Sequence, residues 1–480
     1  MRTGPTDLGA DHPAVSRFST LLQFQTNSNV SAEHHLQQPQ QFSAMMQHLA
    51  ASYPLTWSQL AVEYVGSGNF SLLIQWRGTD PALLPVLYVS HYDVVPVTVG
   101  SERDWHHPPY AGVVKDGVIW GRGALDVKIG VAALFEAVEG LLAEGFEPAR
   151  GLYITIGQDE EVGGSLGAAQ AAAVLARRGV TFEVVIDEGG AVMTDGLAPV
   201  TSRPVAMVGV AEKGYTGVVV TLHSSGGHAA MPPLDGSDIG SQTSRLLAAL
   251  RARPFPAHGL PGATAALLRA LVPLAPPWAR PLLWNARKGP ASWLLARIMS
   301  LASPLTASMV HTTTVLTSIS GGVADNVMPQ TARLGFNTRP VTGTSLADVL
   351  AHFRGLVGPA KVNATVRLSE AFTTEASGLT SAEGPHFKLL AQAIQELWHN
   401  TEGSQPIPVL PYMVSGGTDS KHFQQLSANG ILRFVPMEMS KAAGELASIH
   451  ATNERVHVDS FLRAICTYRR IVTLFSAREL

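Results

Sequence analysis

One cysteine, Cys466, occurs in 480 residues, which excludes an intrachain disulfide framework and any cysteine-built zinc site. Metal ligands must then come from His, Asp and Glu. Charge of one sign is also lacking: 34 Lys and Arg stand against 37 Asp and Glu, a net charge of -3, with no long run of either. Neither nucleic acid nor an anionic membrane is expected as a partner, and a small molecule is. No stretch reaches roughly 18 uninterrupted apolar residues. The nearest, Leu267 to Trp284 and Trp293 to Val310, are interrupted by prolines and arginine in the first and by Arg297 in the second. The opening segment MRTGPTDLGADHPAVSRF has no basic stretch followed by an apolar one, so the expectation is a chain without a membrane span, not exported, in a reducing cytoplasm.

What is present is alternation. The length implies at least two domains. Before residue 210, short apolar runs (LLPVLYVS, GLYITIG, FEVVID) alternate with helical patterns (VAALFEAVEGLLAEG, GAAQAAAVLARRG), the order of βαβ units in a mostly parallel sheet. From about Lys213 the order becomes strand, helix, strand, strand, helix, strand, which reads as a ferredoxin-like insertion. A Pro-rich apolar segment at about 254–304 elaborates it. The expected layout is an α/β catalytic domain over 1–210 and 373–480, with the inserted α+β lid domain over 211–372.

Three predicted strands of the first domain end in His91, in Asp159-Glu160-Glu161 and in Asp187. In parallel α/β sheets the functional crevice lies beyond the carboxyl ends of the strands, so these residues converge there. His91 and Asp93 are two apart, which in an extended segment lets one ligate a metal while the other fixes its tautomer. Asp126, in the Gly-rich turn GRGALDVKIG, equally suits a helix N-cap. Adjacent Glu160 and Glu161 repel one another if buried without a cation, whereas a solvated loop tolerates them. Asp187 and His450 each also read as turn or loop residues. Together the set offers two imidazoles and several carboxylates, the mixed nitrogen and oxygen ligands that zinc accepts.

The segments HYDVVPV, WHHPPYAGVVKDGVIWGRGALDVK, QDEEVGG, VIDEGG, SGGHAAMPP, ADNVMPQTARLGFNTRP, SGGTDSKHF and SIHATNERVHV, in this order over nearly the whole chain, resemble the zinc-dependent metallopeptidase family of aminoacylase-1, glutamate carboxypeptidase and carboxypeptidase S. The nearest branch is that of carboxypeptidase S and the N-acyl-amino-acid amidohydrolases. The resemblance implies two Zn2+ per subunit, with Co2+ or Mn2+ as substitutes. Asp126 would bridge them, with His91 and Asp187 completing one site and Glu161 and His450 the other. It implies Glu160 as the base, Asp93 as the residue orienting His91, and His228 as an oxyanion donor supplied across a homodimer. Arg339 would clamp the substrate carboxylate, assisted by Asn326 and by Gly416, Gly417 and Thr418. Two positions depart from the family pattern: Val127, after an aspartate that relatives often follow with a cis peptide, and Lys421, where Arg is frequent.

The expected activity is metal-dependent hydrolysis of an amide bond beside a free carboxylate, releasing an amino acid from an N-acyl amino acid or small peptide. A carboxypeptidase or dipeptidase would use the same residues. A silent protein that merely holds an amino-acid derivative would be expected to lose the base or a ligand first, and Glu160 is intact. The apolar segment Leu267 to Val310 is expected either to line an acyl groove or to pack against the lid or a dimer partner.

Overall fold

In a computed structural model of the chain, the described residues are 11–198, 200–256, 259–369, 373–400 and 405–479. The expected domain boundary at 372, and residues 257 and 258 of the expected elaboration, lie outside them. The chain divides into two compact units: Met1–Val210, Thr380–Tyr412 and Thr418–Leu480 form one, and Ala211–Leu379 with Met413–Gly417 the other.

The first unit is built on a mixed sheet whose centre is parallel. Strand Val86–His91 lies between Leu152–Gly157 and Val185–Asp187, parallel to both, and Ile431–Arg433 continues beyond Val185–Asp187, again parallel. Every residue of Val86–His91 and of Leu152–Gly157 is buried, as continuous apolar strands covered on both faces must be. The register pairs His91 with Gly157 and Tyr88 with Ile186, so the three carboxyl ends that carry the candidate ligands lie side by side. Two strands not anticipated from the sequence, Ala61–Val65 and Ser71–Trp76, extend the sheet in antiparallel fashion.

Helix Lys128–Ala143 is buried along most of its length and packs against Val458–Phe475, Pro13–Leu21 and Pro54–Gln59. Its two interior acids are structural. Glu136 takes a bidentate hydrogen bond from Arg17, at 2.6 and 2.7 Å, and another from the Tyr53 hydroxyl at 3.0 Å. Glu139 accepts from the Leu55 and Thr56 amides and from Thr56 Oγ1, each at 2.8 Å. It thereby satisfies the first turn of Pro54–Gln59, which has no side-chain cap of its own, a need that every helix start presents.

The second unit carries a four-stranded antiparallel sheet in the order Thr313–Gly321, Thr331–Arg339, Thr216–His223, Ala364–Leu368. Helices Ile239–Ala252 and Leu346–Val357 supply Leu246, Val349 and Phe353 to a core with Val218, Val220, Leu334 and Phe336 from the strands. This is the ferredoxin-like arrangement that the strand and helix order implied. Among the described residues four helices stand between Ile239–Ala252 and Thr313–Gly321, namely Gly262–Ala270, Arg280–Trp284, Gly289–Ala302 and Pro304–Ser308. Among the described residues no helix is long and apolar enough to cross a membrane.

Replacing Glu139 by Ala removes the acceptor for three donors and is expected to lower the free energy of unfolding by about 1–3 kcal/mol. Urea denaturation should show a lower midpoint at unchanged slope, and an unchanged midpoint would remove Glu139 from the account of how Pro54–Gln59 is held.

Candidate metal centre

The loop that presents Asp126 is organised around one carboxylate. Glu454, fully buried, accepts from Arg122 Nη1 at 2.7 Å and from the amides of Gly123, Leu125 and Asp126 at 3.1, 2.7 and 3.1 Å. Gly123 has φ +87, and a Cβ there would meet Val94 Cγ1 at 2.9 Å, so the bend admits no side chain. Beneath it Lys128 is buried, with Nζ donating to the Leu21 and Phe24 carbonyls at 3.1 and 2.7 Å. Burial draws this lysine down to about 7. The helix begins at Lys128 with Val127 at the cap position and no side-chain cap, so Asp126 is not an N-cap. The Asp126–Val127 peptide is cis.

The Asp126 carboxylate faces two imidazoles. Asp126 Oδ1 lies 3.3 Å from His91 Nε2, and Oδ2 lies 3.0 Å from His450 Nε2. On the first side Glu188 Oε1 is 3.0 Å from His91 Nε2; on the second Glu161 Oε2 is 3.0 Å from His450 Nε2. Two groups of ligand-type atoms result, His91, Asp126 and Glu188, and Asp126, Glu161 and His450, each with its atoms within 4.8 Å of one another. Asp126 is common to both. Glu160 belongs to neither and stands 3.9 Å from His91 Nε2.

Asp187, expected as a ligand from the family resemblance, is turned elsewhere. Its Oδ1 accepts from the Glu188 amide at 2.8 Å and its Oδ2 from the Ser420 amide at 2.7 Å. Its neighbour Glu188 reaches His91 instead. Successive side chains at a strand end point to opposite sides, so an Asp-Glu pair there turns one carboxylate toward the crevice, and sequence reasoning took the wrong member. His91 Nδ1 bonds the backbone carbonyl of Asp93 at 3.0 Å, with Asp93 Oδ1 at 3.3 Å, while the two carboxylate oxygens of Asp93 accept from the amides of Glu160 and Glu161 at 3.0 and 3.1 Å. Asp159, facing His35 Nδ1 at 2.8 Å, accepts from Leu166 and Gly167 and closes the same turn. Asp159 was expected to face the crevice and instead holds its own turn; Glu454 was not singled out, and its signal was an acid close in sequence to His450.

The electrostatics ask for cations. Burial pushes Glu161 up to about 7 and Glu188 up to about 8 against the pull of His91. Burial likewise raises Glu160 far above the carboxylate range, with Glu188 and Asp419 adding to it. His450 is drawn up to about 10 by Asp126 and Glu161. Asp126 falls well below its ordinary range because His450 and His91 outweigh its burial. His91, 1% exposed, has Nε2 buried without a hydrogen-bond partner, although Asp126 and Glu188 oxygens lie near it. A ring nitrogen and carboxylate oxygens that crowd together without bonding one another suit a divalent cation, and the mixed donor set suits zinc.

The remaining candidates lie in the second unit, except Thr418. His228, on the two-residue strand Gly227–His228, pairs with Val327, next to Asn326, and both line a cavity of about 690 Å³ that Gly321 and Thr331 also border. Arg339 ends the strand that begins at Thr331, about 27 Å further along, with its guanidinium 4.5 Å from the Tyr215 ring centroid. His228 and Arg339 are therefore not brought together within this unit. Gly416 and Gly417 are exposed. Thr418 in the first unit is buried, with Oγ1 2.7 Å from Ser420 Oγ.

A nest of buried carboxylates and imidazoles at the carboxyl edge of a parallel sheet marks a candidate metal centre in an α/β catalytic fold. Residues 87–474 match the profile of Peptidase family M20/M25/M40, and the chain belongs to that family. The human N-fatty-acyl-amino acid synthase/hydrolase PM20D1 is 31% identical over 412 residues, 85% of this chain and 78% of that protein. Carboxypeptidase S of Saccharomyces cerevisiae is 30% identical over 477 residues, 90% of this chain and 78% of that one. An M20 family metallo-carboxypeptidase of Sulfolobus solfataricus shares the fold, with a TM-score of 0.67 at 15% identity over 97% of this chain and 99% of its own.

Two outcomes are expected. Glu188→Gln should weaken zinc binding about 10–100-fold or more in equilibrium dialysis, and Asp187→Asn should weaken it less; the reverse ranking would restore Asp187 as the ligand. In metal-free protein Glu161 rises from 4.5 to about 7, Glu188 from 4.5 to about 8 and His450 from 6.5 to about 10. All three hold protons more tightly folded than unfolded, so their stabilisation is complete at acid pH and is lost as pH climbs through these values. Metal-free protein should melt at a lower temperature at pH about 9 than at about 6, with added zinc, which needs unprotonated ligands, reversing the trend. A metal-free Tm that rises over that range would contradict this assignment.

Proposed function

We propose that the chain hydrolyses the amide bond of N-acyl amino acids, releasing a free amino acid and a carboxylic acid, with two zinc ions held by His91, Asp126 and Glu188 and by Asp126, Glu161 and His450. The carrying observation is the single carboxylate shared by two ligand groups, with a second carboxylate, Glu160, beside His91 and part of neither group. When bound, paired metals polarise a carbonyl and generate a nucleophile from water at neutral pH. Glu160 takes the proton from the attacking water and hands it to the departing amine nitrogen. Asp93 keeps Glu160 and Glu161 in place through their amides.

Arg339 clamps the substrate carboxylate, its planar fork matching two oxygens, with Asn326 and the Gly416-Gly417-Thr418 turn assisting. The second unit serves as lid and dimerisation domain. Its edge strand Thr313–Gly321 leaves Val315 and Ile319 exposed, a surface suited to pairing with a second copy. The placing of His228 beside Val327, with Arg339 at the far end of Thr331–Arg339, supports a site completed by His228 of the partner subunit, donating to the oxyanion. The names of the human and yeast relatives support an acyl amide or peptide substrate. The single cysteine fits a reducing compartment such as the cytoplasm.

Turnover of acetyl-, long-acyl- and dipeptide substrates by metal-free protein, before and after adding zinc, cobalt or manganese, tests this. Metal should restore amino-acid release, with long-acyl substrates ahead in kcat/KM. Glu160→Gln should lower kcat about 10²–10⁴-fold at unchanged metal content. Full turnover by that variant would end the assignment of the base, and equal kcat/KM for acetyl and long-acyl substrates would end the acyl preference.

A further inference from the structure

The four helices between residues 262 and 308 carry a surface that neither the site nor the ferredoxin-like core uses. Their inner side is closed: Leu267, Leu268, Leu283, Leu295 and Met299 are buried. Their outer side is apolar as well. On Gly289–Ala302, Trp293, Leu294, Ile298 and Leu301 are exposed, by 60%, 44%, 48% and 77%. At about 100° per residue they fall within one arc of the helix, opposite Leu295, Ala296 and Met299. Trp278 and Trp284, on the segment leading into this helix, are 81% and 61% exposed, and Leu305 just beyond it 60%. Three tryptophans and several aliphatic side chains in water on one small helical cluster mark a binding surface.

Charge says what binds. Whole-chain charge is nearly balanced, which argued against an anionic surface as partner; the distribution within the second unit argues the other way. No Asp or Glu occurs between Asp238 and Asp325, a span that contains Arg269, Arg280, Arg287, Lys288 and Arg297 on or beside the four helices. Arg280, Arg287, Lys288 and Arg297 are exposed among the tryptophans, and Arg269 lies 5.4 Å from the Trp284 ring centroid. Tryptophan with interspersed Arg and Lys is the composition of helices that lie in a membrane interface, rings at headgroup level and cations on the phosphates. A second copy is a poor occupant, because a twofold interface sets the same patch against itself and here opposes cations with cations.

We propose that this helical cluster docks the protein onto the surface of an anionic lipid bilayer, without spanning it. The proposal is independent of the reaction assigned to the metal centre, which lies on the other unit.

Co-sedimentation of the full chain with vesicles tests it, using phosphatidylcholine alone and an equal mixture with phosphatidylglycerol. The chain should bind the mixed vesicles and not the neutral ones, with tryptophan fluorescence quenched by brominated lipid. Raising the salt from about 0.05 to about 0.5 M should weaken binding on the order of ten-fold. Arg287→Glu combined with Lys288→Glu and Arg297→Glu should reduce partitioning at least about ten-fold, as should Trp293→Glu with Ile298→Glu, at unchanged melting temperature and unchanged turnover of a soluble acetyl substrate. Absence of binding at low salt, or equal binding to neutral and anionic vesicles, would overturn the proposal. So would a dimer that ignores vesicles and that Trp293→Glu with Ile298→Glu dissociates, which would assign the face to a second copy.

Discussion

Carboxylates gathered out of water around two imidazoles set the terms for the rest of the catalytic unit. Asp126, Glu160, Glu161 and Glu188 are all largely buried near His91 and His450, and like charges at such distances raise one another's affinity for protons. In the metal-free chain burial first, and the neighbouring Asp126 charge second, hold Glu161 and Glu188 above the usual carboxylate range. Divalent cations relieve the repulsion, because they neutralise several carboxylates at once and bind the buried His91 Nε2, which makes no hydrogen bond.

Holding such a cluster in place requires other acids whose role is structural. Glu454 binds the loop before Asp126 through three amides and Arg122, and Asp93 does the same for the turn carrying Glu160 and Glu161. Asp187 secures the next strand end through the Glu188 and Ser420 amides. Backbone amides are fixed donors, so a carboxylate that takes two or three of them sets the loop and leaves the neighbouring acid free for chemistry. Each ligand-bearing turn thus has a bystander acid close in sequence or space that prevents it from relaxing away from its neighbours' charge.

The second unit divides its surface between different demands. Its sheet and two helices close an ordinary apolar core, while the added helices keep aromatic and aliphatic side chains in solvent among cations. A cluster of that size could have been polar on its outer side at no cost to its own packing, since its interior is already filled by leucine and methionine. Exposed apolar area of this kind is kept where something covers it.

By itself the sequence determined the alternation of strands and helices, the parallel centre of the catalytic sheet, the ferredoxin-like order of the second unit, and the family. The first three rest on periodicity and local order, and the family on motif segments in a fixed order, all of them written residue by residue. Strand ends and a Gly-rich turn drew attention to His91, Asp126 and Glu161, while His450 entered through the family resemblance. Tertiary structure decided what a spacing cannot: that Glu188 and not Asp187 reaches His91, that Asp126 is shared between two imidazoles rather than capping a helix, and that Glu454 holds its loop from over three hundred residues away in sequence. It also decided that the hydrophobic residues of Gly289–Ala302 lie on two opposite sides, one buried and one exposed. Each of these depends on the direction of a side chain relative to elements distant in the chain, and direction is settled only when those elements pack.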